Sequence, residues 1–358
     1  MSSIIGENVQ ISLFGESHGP LVGATINGLE AGIKIDEEFI KHQMKLRQAN
    51  DELSTNRYEE DEVKIVSGVY NGYTTGSPLT VVIENKNVNS RDYPKMFRPS
   101  HSDLVAEYKY HGYQDYRGGG HFSGRLTAPL VALGSIAIKI LENKNIRIGS
   151  HIYSVHNVND DKIDFKNLDS YFNKVNNDIF PVLNENKKEL MKKEILIAKE
   201  NLDSVGGVIE TVVSLFPCVG EPFFNSLESK LSQYLFSIPG VKGIEFGLGF
   251  DFSKYYGSEV NDSIAKEETV EFVTNNNGGI NGGISNGAPL TFRVVIKPTP
   301  SIGKPQHTID ENFNNTELNI KGRHDPCIVR RARVVIDSLV ALALLDLISL
   351  NEGKKWMV

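Results

Sequence analysis

The sequence contains little cysteine and an excess of acidic over basic residues. Its two cysteines, Cys218 and Cys327, stand far apart in 358 residues and outside any C-x-x-C spacing, which argues against a disulfide framework or a zinc site. Lys and Arg number 38 against 45 Asp and Glu, giving a net charge of -7, whereas non-specific nucleic-acid binders usually have the opposite balance. We therefore expect reduced thiols, no metal and no nucleic-acid partner. An anionic small molecule remains compatible with a locally basic site.

Long uninterrupted apolar runs are also absent. The first residues, MSSIIGENVQISLFGESHG, lack the basic segment and apolar stretch of a signal peptide. The most apolar stretch, VVIDSLVALALLDLISL, is interrupted by Asp337 and Asp346, which favours a buried helix over a membrane span. We expect a cytoplasmic protein with no membrane contact.

The order of the expected elements indicates the fold class. Strand-like and helix-like segments follow one another without regular alternation, and several strand pairs are separated only by short glycine turns. This pattern predicts an α+β fold with antiparallel sheets. We expect a single domain over residues 1–358. Within it, the charged segment 157–203, rich in Asn, Lys and Asp, is expected to be a solvated surface segment with one helix at about 187–201 and no chemistry.

The residues able to do chemistry stand in short loops beside glycine or proline. The loops are FGESHG with His18, RPSHSD with Arg98 and His101, DYRGGGHFSGR with Ser123 and Arg125, TNNNGGINGGISNG, KPTPS with Lys297, and GRHDPC with Arg323 and Asp325. Each residue taken singly is compatible with a structural role, such as a turn histidine or a salt-bridge arginine. Their shared setting points to a site, because binding and catalytic residues are concentrated on loops.

These residue types suit a polyanionic ligand. Arginine binds carboxylate or phosphate through two parallel hydrogen bonds, and the helix start after Ser123 favours an anion. Two histidines supply groups that transfer protons near neutral pH. The glycines at 118–120 are expected to make room for a flat or bulky ligand. The sequence has no Walker A motif, no G-x-G-x-x-G between strand and helix and no G-x-S-x-G, which argues against those nucleotide-binding and hydrolase classes.

Taken in order, the motifs resemble those of the chorismate synthase family. SGVYNGYTTGSPL at 67–79 and SIPGVKGIEFGLGF at 237–250 add to the likeness. The resemblance implies a β-α-β sandwich, with long helices packed between antiparallel sheets, in a homotetramer. It also implies an anti-1,4 elimination of phosphate from 5-enolpyruvylshikimate-3-phosphate to give chorismate, in the shikimate pathway of aromatic amino-acid biosynthesis. Reduced FMN is required without net redox change. The alternative is a non-catalytic flavin- or anion-binding protein on the same scaffold, and the presence of both histidines favours the enzyme.

The resemblance also implies roles for individual residues. His18 would donate a proton near the leaving phosphate, His101 would supply a proton beside the flavin, and Asp325 would lie near flavin nitrogen 5. Arg47, Arg98 and Arg125 would hold the substrate's anionic groups. The residues that would line the flavin site are Ser123, Gly124, Asn275, Gly282, Lys297, Pro298, Thr299, Pro300, Ser301 and Arg323.

The chain departs from the family pattern at a few positions. A second arginine expected after the first helix falls on Leu53, with Arg57 as the candidate to replace it, and His121 and Phe122 occupy positions where other members carry different residues. Some members reduce their flavin with NADPH. Nothing in this sequence resembles an added reductase domain, so we expect an external flavin reductant.

Overall fold

The computed structural model describes residues 3–48, 53–54, 61–86, 96–214, 216–266, 269–320 and 325–358. The helices in this part of the chain are α1 (Glu37–Gln48), α2 (Asp103–Tyr110), α3 (Thr127–Glu142), α4 (Leu168–Val175), α5 (Glu185–Glu200), α6 (Leu227–Leu235), α7 (Gly257–Val260) and α8 (Val329–Glu352). The strands are β1 (Ile4–Ile5), β2 (Gln10–Gly15), β3 (Leu21–Asn27), β4 (Lys64–Ser67), β5 (Val69–Tyr70), β6 (Tyr73–Thr74), β7 (Leu79–Glu84), β8 (Ile148–Val155), β9 (Val158–Asn159), β10 (Gly207–Val213), β11 (Val241–Phe246), β12 (Ile264–Lys266), β13 (Val270–Phe272), β14 (Ile280–Asn281), β15 (Ile284–Ser285), β16 (Leu290–Ile296), β17 (Gln306–Ile309) and β18 (Asn315–Leu318).

Two five-stranded sheets contain the longer strands. Sheet 1 has the order β1-β2-β3-β7-β4, and sheet 2 has the order β11-β16-β10-β8-β9. Every pairing within both sheets is antiparallel. Burial alternates along β7, as expected when one face of a strand meets the core. The predicted α+β class with antiparallel sheets is therefore confirmed.

The two long apolar helices join the sheets. Helix α3 packs on β3 and β7 of sheet 1, α8 packs on β8 and β10 of sheet 2, and the helices pack against each other. A Cβ at Gly134 would lie 2.3 Å from Cβ of Ser338, so the glycine allows this close approach of α3 and α8. By length and composition both helical segments, Gly124–Glu142 and Val329–Glu352, could cross a membrane, but 89% of each apolar window is buried inside the protein. The buried helix predicted from the most apolar stretch is confirmed.

The charged segment 157–203 is more ordered and more buried than its composition predicted. It contains two helices, α4 and α5, where we expected one, and both pack on β8. Tyr171 and Phe172 of α4 are buried, as is Met191 of α5. The apolar face of α4 is short and interleaved with charged residues, which hides it in the sequence. The segment thus packs on sheet 2, and the carbonyl of Asp178 accepts from Arg333 of α8 at 3.0 Å.

Candidate functional site

Three consecutive glycines, Gly118 to Gly120, form the centre of the candidate site, and we call them the glycine turn. Their φ angles are 59°, 86° and 52°, a region that side chains rarely adopt. A Cβ at Gly118 would lie 2.3 Å from Cε1 of His18, and one at Gly119 would lie 3.2 Å from Cε1 of His101. The room that we expected a ligand to use is thus occupied, at two of the three glycines, by histidine rings.

The loop that carries His18 is attached to the glycine turn and to sheet 1. The backbone N–H of Ser17 donates to the carbonyl of Gly120 at 3.1 Å. The side chain of Asn85 donates to the carbonyls at both ends of the loop, Glu16 at 2.9 Å and Gly19 at 2.8 Å. His18 itself is buried, with Nδ1 3.3 Å from the Ser17 hydroxyl. These bonds hold the imidazole in one place before any ligand binds.

A carboxylate fixes His101 and Arg98 together. Asp103, at the start of α2, lies 2.7 Å from Nδ1 of His101 and accepts from Nε of Arg98 at 2.7 Å and Nη2 at 2.8 Å. Burial alone would raise the pKa of Asp103, but the hydrogen bonds from Arg98 and His101 outweigh it and hold that pKa well below its usual range. An ionised carboxylate on Nδ1 orients the ring and leaves Nε2 to exchange protons. Nε2 is on the side of the glycine turn, 3.5 Å from the place of a Cβ at Gly119.

Arg47 and Arg125 share one buried carboxylate, that of Asp61. Nη1 of Arg47 donates to Oδ2 of Asp61 at 3.0 Å, and Nη1 of Arg125 donates to Oδ1. Arg47 also donates to the hydroxyl of Thr127 at 3.1 Å and to the carbonyl of Gly124 at 3.0 Å. Two of the three arginines predicted to bind substrate, Arg47 and Arg125, therefore come together at the start of α3, whereas Arg98 is bound to Asp103.

Ser123 and Gly124 connect the glycine turn to this arginine pair. The Ser123 hydroxyl accepts from the backbone N–H of Arg125 at 3.2 Å, capping the helical turn that precedes α3. Space around Gly124 is open, because a Cβ there would meet no atom within 4 Å. A ligand could approach the backbone at that residue.

The KPTPS segment bridges the His101 loop and Asp325. Lys297 donates to the carbonyl of Ser100 at 2.7 Å, and the Ser301 hydroxyl accepts from Nη1 of Arg98 at 3.3 Å. Burial lowers the pKa of Lys297, and the nearby charge of Lys242 adds to the effect.

The other residues of that segment fix its backbone. The Thr299 hydroxyl donates to the backbone carbonyl of Asp325 at 2.7 Å. Pro298 packs against Gly206, where a Cβ would lie 3.0 Å from its Cδ, and the carbonyl of Pro300 accepts from Gln306 at 3.3 Å. The five predicted residues from 297 to 301 are thus held beside the histidine loop.

The two carboxylate oxygens of Asp325 differ in their contacts within the described part of the chain. Oδ2 accepts from Nη1 of Arg331 at 2.7 Å, and Arg331 also donates to the backbone carbonyl of Arg47 at 3.2 Å. Oδ1 is buried and accepts no hydrogen bond from the described residues. Arg323, predicted for the flavin site, lies outside the described residues.

Asn275 and Gly282 stand apart from these contacts. The Asn275 amide donates to the carbonyl of Pro289 at 2.7 Å, and its Oδ1 is buried without a partner in the described part of the chain. Gly282 lies in the turn between β14 and β15, and a Cβ there would meet no atom within 4 Å. Among the described residues, the hydrogen bonds of this Asn/Gly region lead to 216–219, 227, 248, 260–262 and 286–289 and not to the glycine turn.

Two residues that organise the site, Asp61 and Arg331, were missed in the sequence, whereas Asp103 was noted in the RPSHSD loop without a role. The spacing of Asp103, two residues after His101 and five after Arg98, was a usable signal for that role. Asp61 had none, since it stands in the acidic run RYEEDEV. Arg331 is one of several arginines at the start of α8 and is distinguished only by its contacts.

Comparisons with known proteins agree with the resemblance. A family model described as chorismate synthase matches residues 9–349. The chorismate synthase of Thermococcus gammatolerans is 43% identical over 357 residues, 98% of both chains, and that of Korarchaeum cryptofilum is 41% identical over 350 residues, 96% of both. A crystal structure described as that of chorismate synthase covers 98% of this chain and 94% of its own, with a TM-score of 0.78 and 29% identity.

Proposed function

Because the chain belongs to the chorismate synthase family, we propose that its active site is built around the glycine turn. The family's reaction is a carbon–oxygen lyase reaction in which 5-enolpyruvylshikimate-3-phosphate loses phosphate to give chorismate. One observation carries the proposed location: His18 and His101, from separate loops, lie against consecutive glycines. A non-catalytic anion-binding protein would need the cations but not two imidazoles held in this way.

The histidines act as proton-transfer groups. His18 protonates the departing phosphate, because breaking the carbon–oxygen bond leaves negative charge on that group. His101 is oriented by Asp103 at Nδ1 and holds or moves a proton at Nε2. The low pKa of Asp103 keeps its carboxylate charged over the whole working pH range, so it acts as an orienting group.

The arginines hold the substrate's carboxylates and phosphate. Arg98 and Arg125 belong to the same segments as His101 and the glycine turn, which supports this role. Asp103 and Asp61 fix their guanidinium groups through charge-assisted hydrogen bonds. A fixed cation loses less side-chain entropy when an anion binds.

Reduced FMN is the cofactor of this site. When bound, it would supply the electron transfer that the elimination needs, with no net redox change. The residues fit such a group, because buried Oδ1 of Asp325 is an acceptor without a partner in the described chain and suits an N–H donor on a ring. The residues that would hold it are Ser123, Gly124, Asn275, Gly282, Lys297, Pro298, Thr299, Pro300, Ser301 and Arg323. Asn275 and Gly282 are included on the family resemblance alone, since the hydrogen bonds of their loop lead elsewhere.

The larger architecture is a β-α-β sandwich in a homotetramer. Support for the sandwich is that α3 and α8 pack on different sheets and on each other. Support for association is that several aromatic side chains are at least four-fifths exposed in the single chain, among them Phe223, Phe224, Phe250 and Tyr256. The whole chain forms one domain.

The flavin is reduced by an external reductant in the cytoplasm. The family match extends over residues 9–349, and the charged segment inside it packs on sheet 2. Within residues 9–349 the proposal therefore assigns no segment to NADPH-dependent flavin reduction.

Phosphate release from 5-enolpyruvylshikimate-3-phosphate under anaerobic conditions tests the cofactor and the reductant. One reaction contains chemically reduced FMN, a second contains oxidised FMN with NADPH, and a third contains no flavin. We expect release only in the first. Release in the second would refute the external reductant, and release in the third would refute the flavin requirement.

A further inference from the structure

Asp61 is a buried carboxylate on which two predicted substrate-binding residues converge. It precedes β4, and its side chain has no exposed surface. An ionised carboxylate is costly to bury without partners. Its partners are two cations from different elements, Arg47 near the end of α1 and Arg125 in the helical turn before α3. Each carboxylate oxygen serves one arginine.

The other nitrogens of both guanidinium groups are also bonded. Nε of Arg47 donates to the hydroxyl of Thr127, and its Nη2 donates to the carbonyl of Gly124. Nε of Arg125 donates to Oδ1 of Asn85 at 2.9 Å, and its Nη2 donates to the carbonyl of Glu84 at 3.2 Å. A planar group bonded at Nε, Nη1 and Nη2 cannot rotate freely. The network therefore fixes the planes of both arginines, and within the described part of the chain Asp61 is the carboxylate that both of them bind.

The charge balance gives Asp61 a second effect. The two guanidinium groups and the carboxylate lie beside the start of α3, where the helix dipole is positive. Without the carboxylate, the two cations would repel each other in a buried place. Asp61 thus allows both arginines to stand together.

We propose that Asp61 is a positioning residue that pre-organises Arg47 and Arg125 for an anionic group of the substrate. This inference rests on the proposed function, in which both arginines bind substrate. It differs from the opposite reading, in which Asp61 occupies the place of the substrate's anion and competes with it. The two readings predict opposite changes of affinity when the carboxylate is neutralised.

Steady-state kinetics of Asp61→Asn with reduced FMN separates these readings. Loss of pre-organisation raises KM for 5-enolpyruvylshikimate-3-phosphate by about 10- to 100-fold, while kcat stays within about threefold. Asp160→Asn is the control, since Asp160 is an equally buried carboxylate in the charged segment, and it should leave KM unchanged. Asp61→Glu retains the charge but displaces both guanidinium groups, so it should also raise KM and serves if Asp61→Asn does not fold.

Arg47→Lys and Arg125→Lys, measured in parallel, distinguish failure of this inference from failure of the proposed function. If both raise KM and Asp61→Asn does not, the role of Asp61 is refuted while the arginine roles stand. A lower KM in Asp61→Asn would also overturn the inference, in favour of the competing reading. If neither lysine variant changes KM, the proposed arginine roles fail and the role of Asp61 fails with them.

Discussion

Two regions of the molecule bury histidine in opposite ways. His151, on β8 under the charged segment, has no exposed surface, and burial lowers its pKa to about 3, with the charge of Lys174 adding to the shift. Its Nε2 lies 3.7 Å from Glu210 and 3.9 Å from Asp160, too far for a hydrogen bond. His101 at the glycine turn is 19% exposed, with Nδ1 2.7 Å from Asp103. Burial without a bonded carboxylate keeps His151 neutral, whereas the bonded carboxylate and the partly exposed ring suit His101 to proton transfer.

A buried carboxylate in each region shows a similar contrast, because the pKa of one is raised and that of the other is lowered. Burial raises the pKa of Glu210 to about 7, against a smaller opposing effect of Arg293. Asp103 is also largely buried, yet its pKa is lowered, because Arg98 and His101 bond it directly. Between these two acids, the directly bonded cations of Asp103 account for the opposite direction of its pKa shift.

Replacing the histidines should give the largest difference in kcat between variants of the two regions. His18→Ala and His101→Ala should each lower kcat by about 10²- to 10⁴-fold, the usual contribution of a general acid or base. His151→Leu should leave kcat within about threefold, because this neutral ring is remote from the glycine turn in the fold. Phosphate release with reduced FMN measures all three. A comparable fall of kcat in His151→Leu would contradict the proposed contrast between the two regions.

Removing the carboxylate at His101 should have a smaller effect. Asp103→Asn should lower kcat/KM by about 10- to 100-fold, because the ring and Arg98 lose their orienting partner. The stabilising effect of Asp103, whose folded-state pKa is lowered, is fully present above its unfolded pKa and is lost as pH falls through the folded pKa. Urea unfolding should therefore find wild type and Asp103→Asn closer in stability at pH 3 than at pH 6. An equal difference at both pH values would argue against the ionised pair.

The charged-segment region should respond in stability and not in catalysis. The raised pKa of Glu210 means that the folded state binds more protons than the unfolded state between about pH 4.5 and 7, so stability falls as pH rises through this window. Glu210→Gln removes this cost and should gain up to about 3 kcal/mol relative to wild type between pH 5 and pH 8. Urea unfolding at both pH values measures the gain, and phosphate release should be unchanged. A constant difference between the two proteins would refute the shifted ionisation.

Several features of this comparison could be predicted from the sequence. The apolar stretch after Pro326 predicted the buried α8, and glycine-flanked His18 and His101 marked loops of unusual chemistry. The His18 and His101 loops meet at the glycine turn, and this arrangement depends on sheet 1 and on the turn before α3. It could therefore be inferred only through the family resemblance. Glycine at 118–120 signals backbone freedom but does not say whether a ligand or a side chain fills the space. The role of Asp61 could not be predicted from the sequence, because Arg47 and Arg125 approach it only in the folded chain.

The central claim is that the glycine turn matters because it makes room for the histidines. A double-mutant cycle of Gly118→Ala and His18→Ala, with kcat for phosphate release as the readout, tests it most directly. Gly72→Ala controls for backbone strain, since Gly72 also has a positive φ but a Cβ there would meet no atom within 4 Å. We predict that Gly118→Ala lowers kcat about 100-fold in wild type, that it has almost no effect in the His18→Ala background, and that Gly72→Ala is nearly silent. Equal effects of Gly118→Ala in both backgrounds would contradict the account, because the glycine would then act without His18.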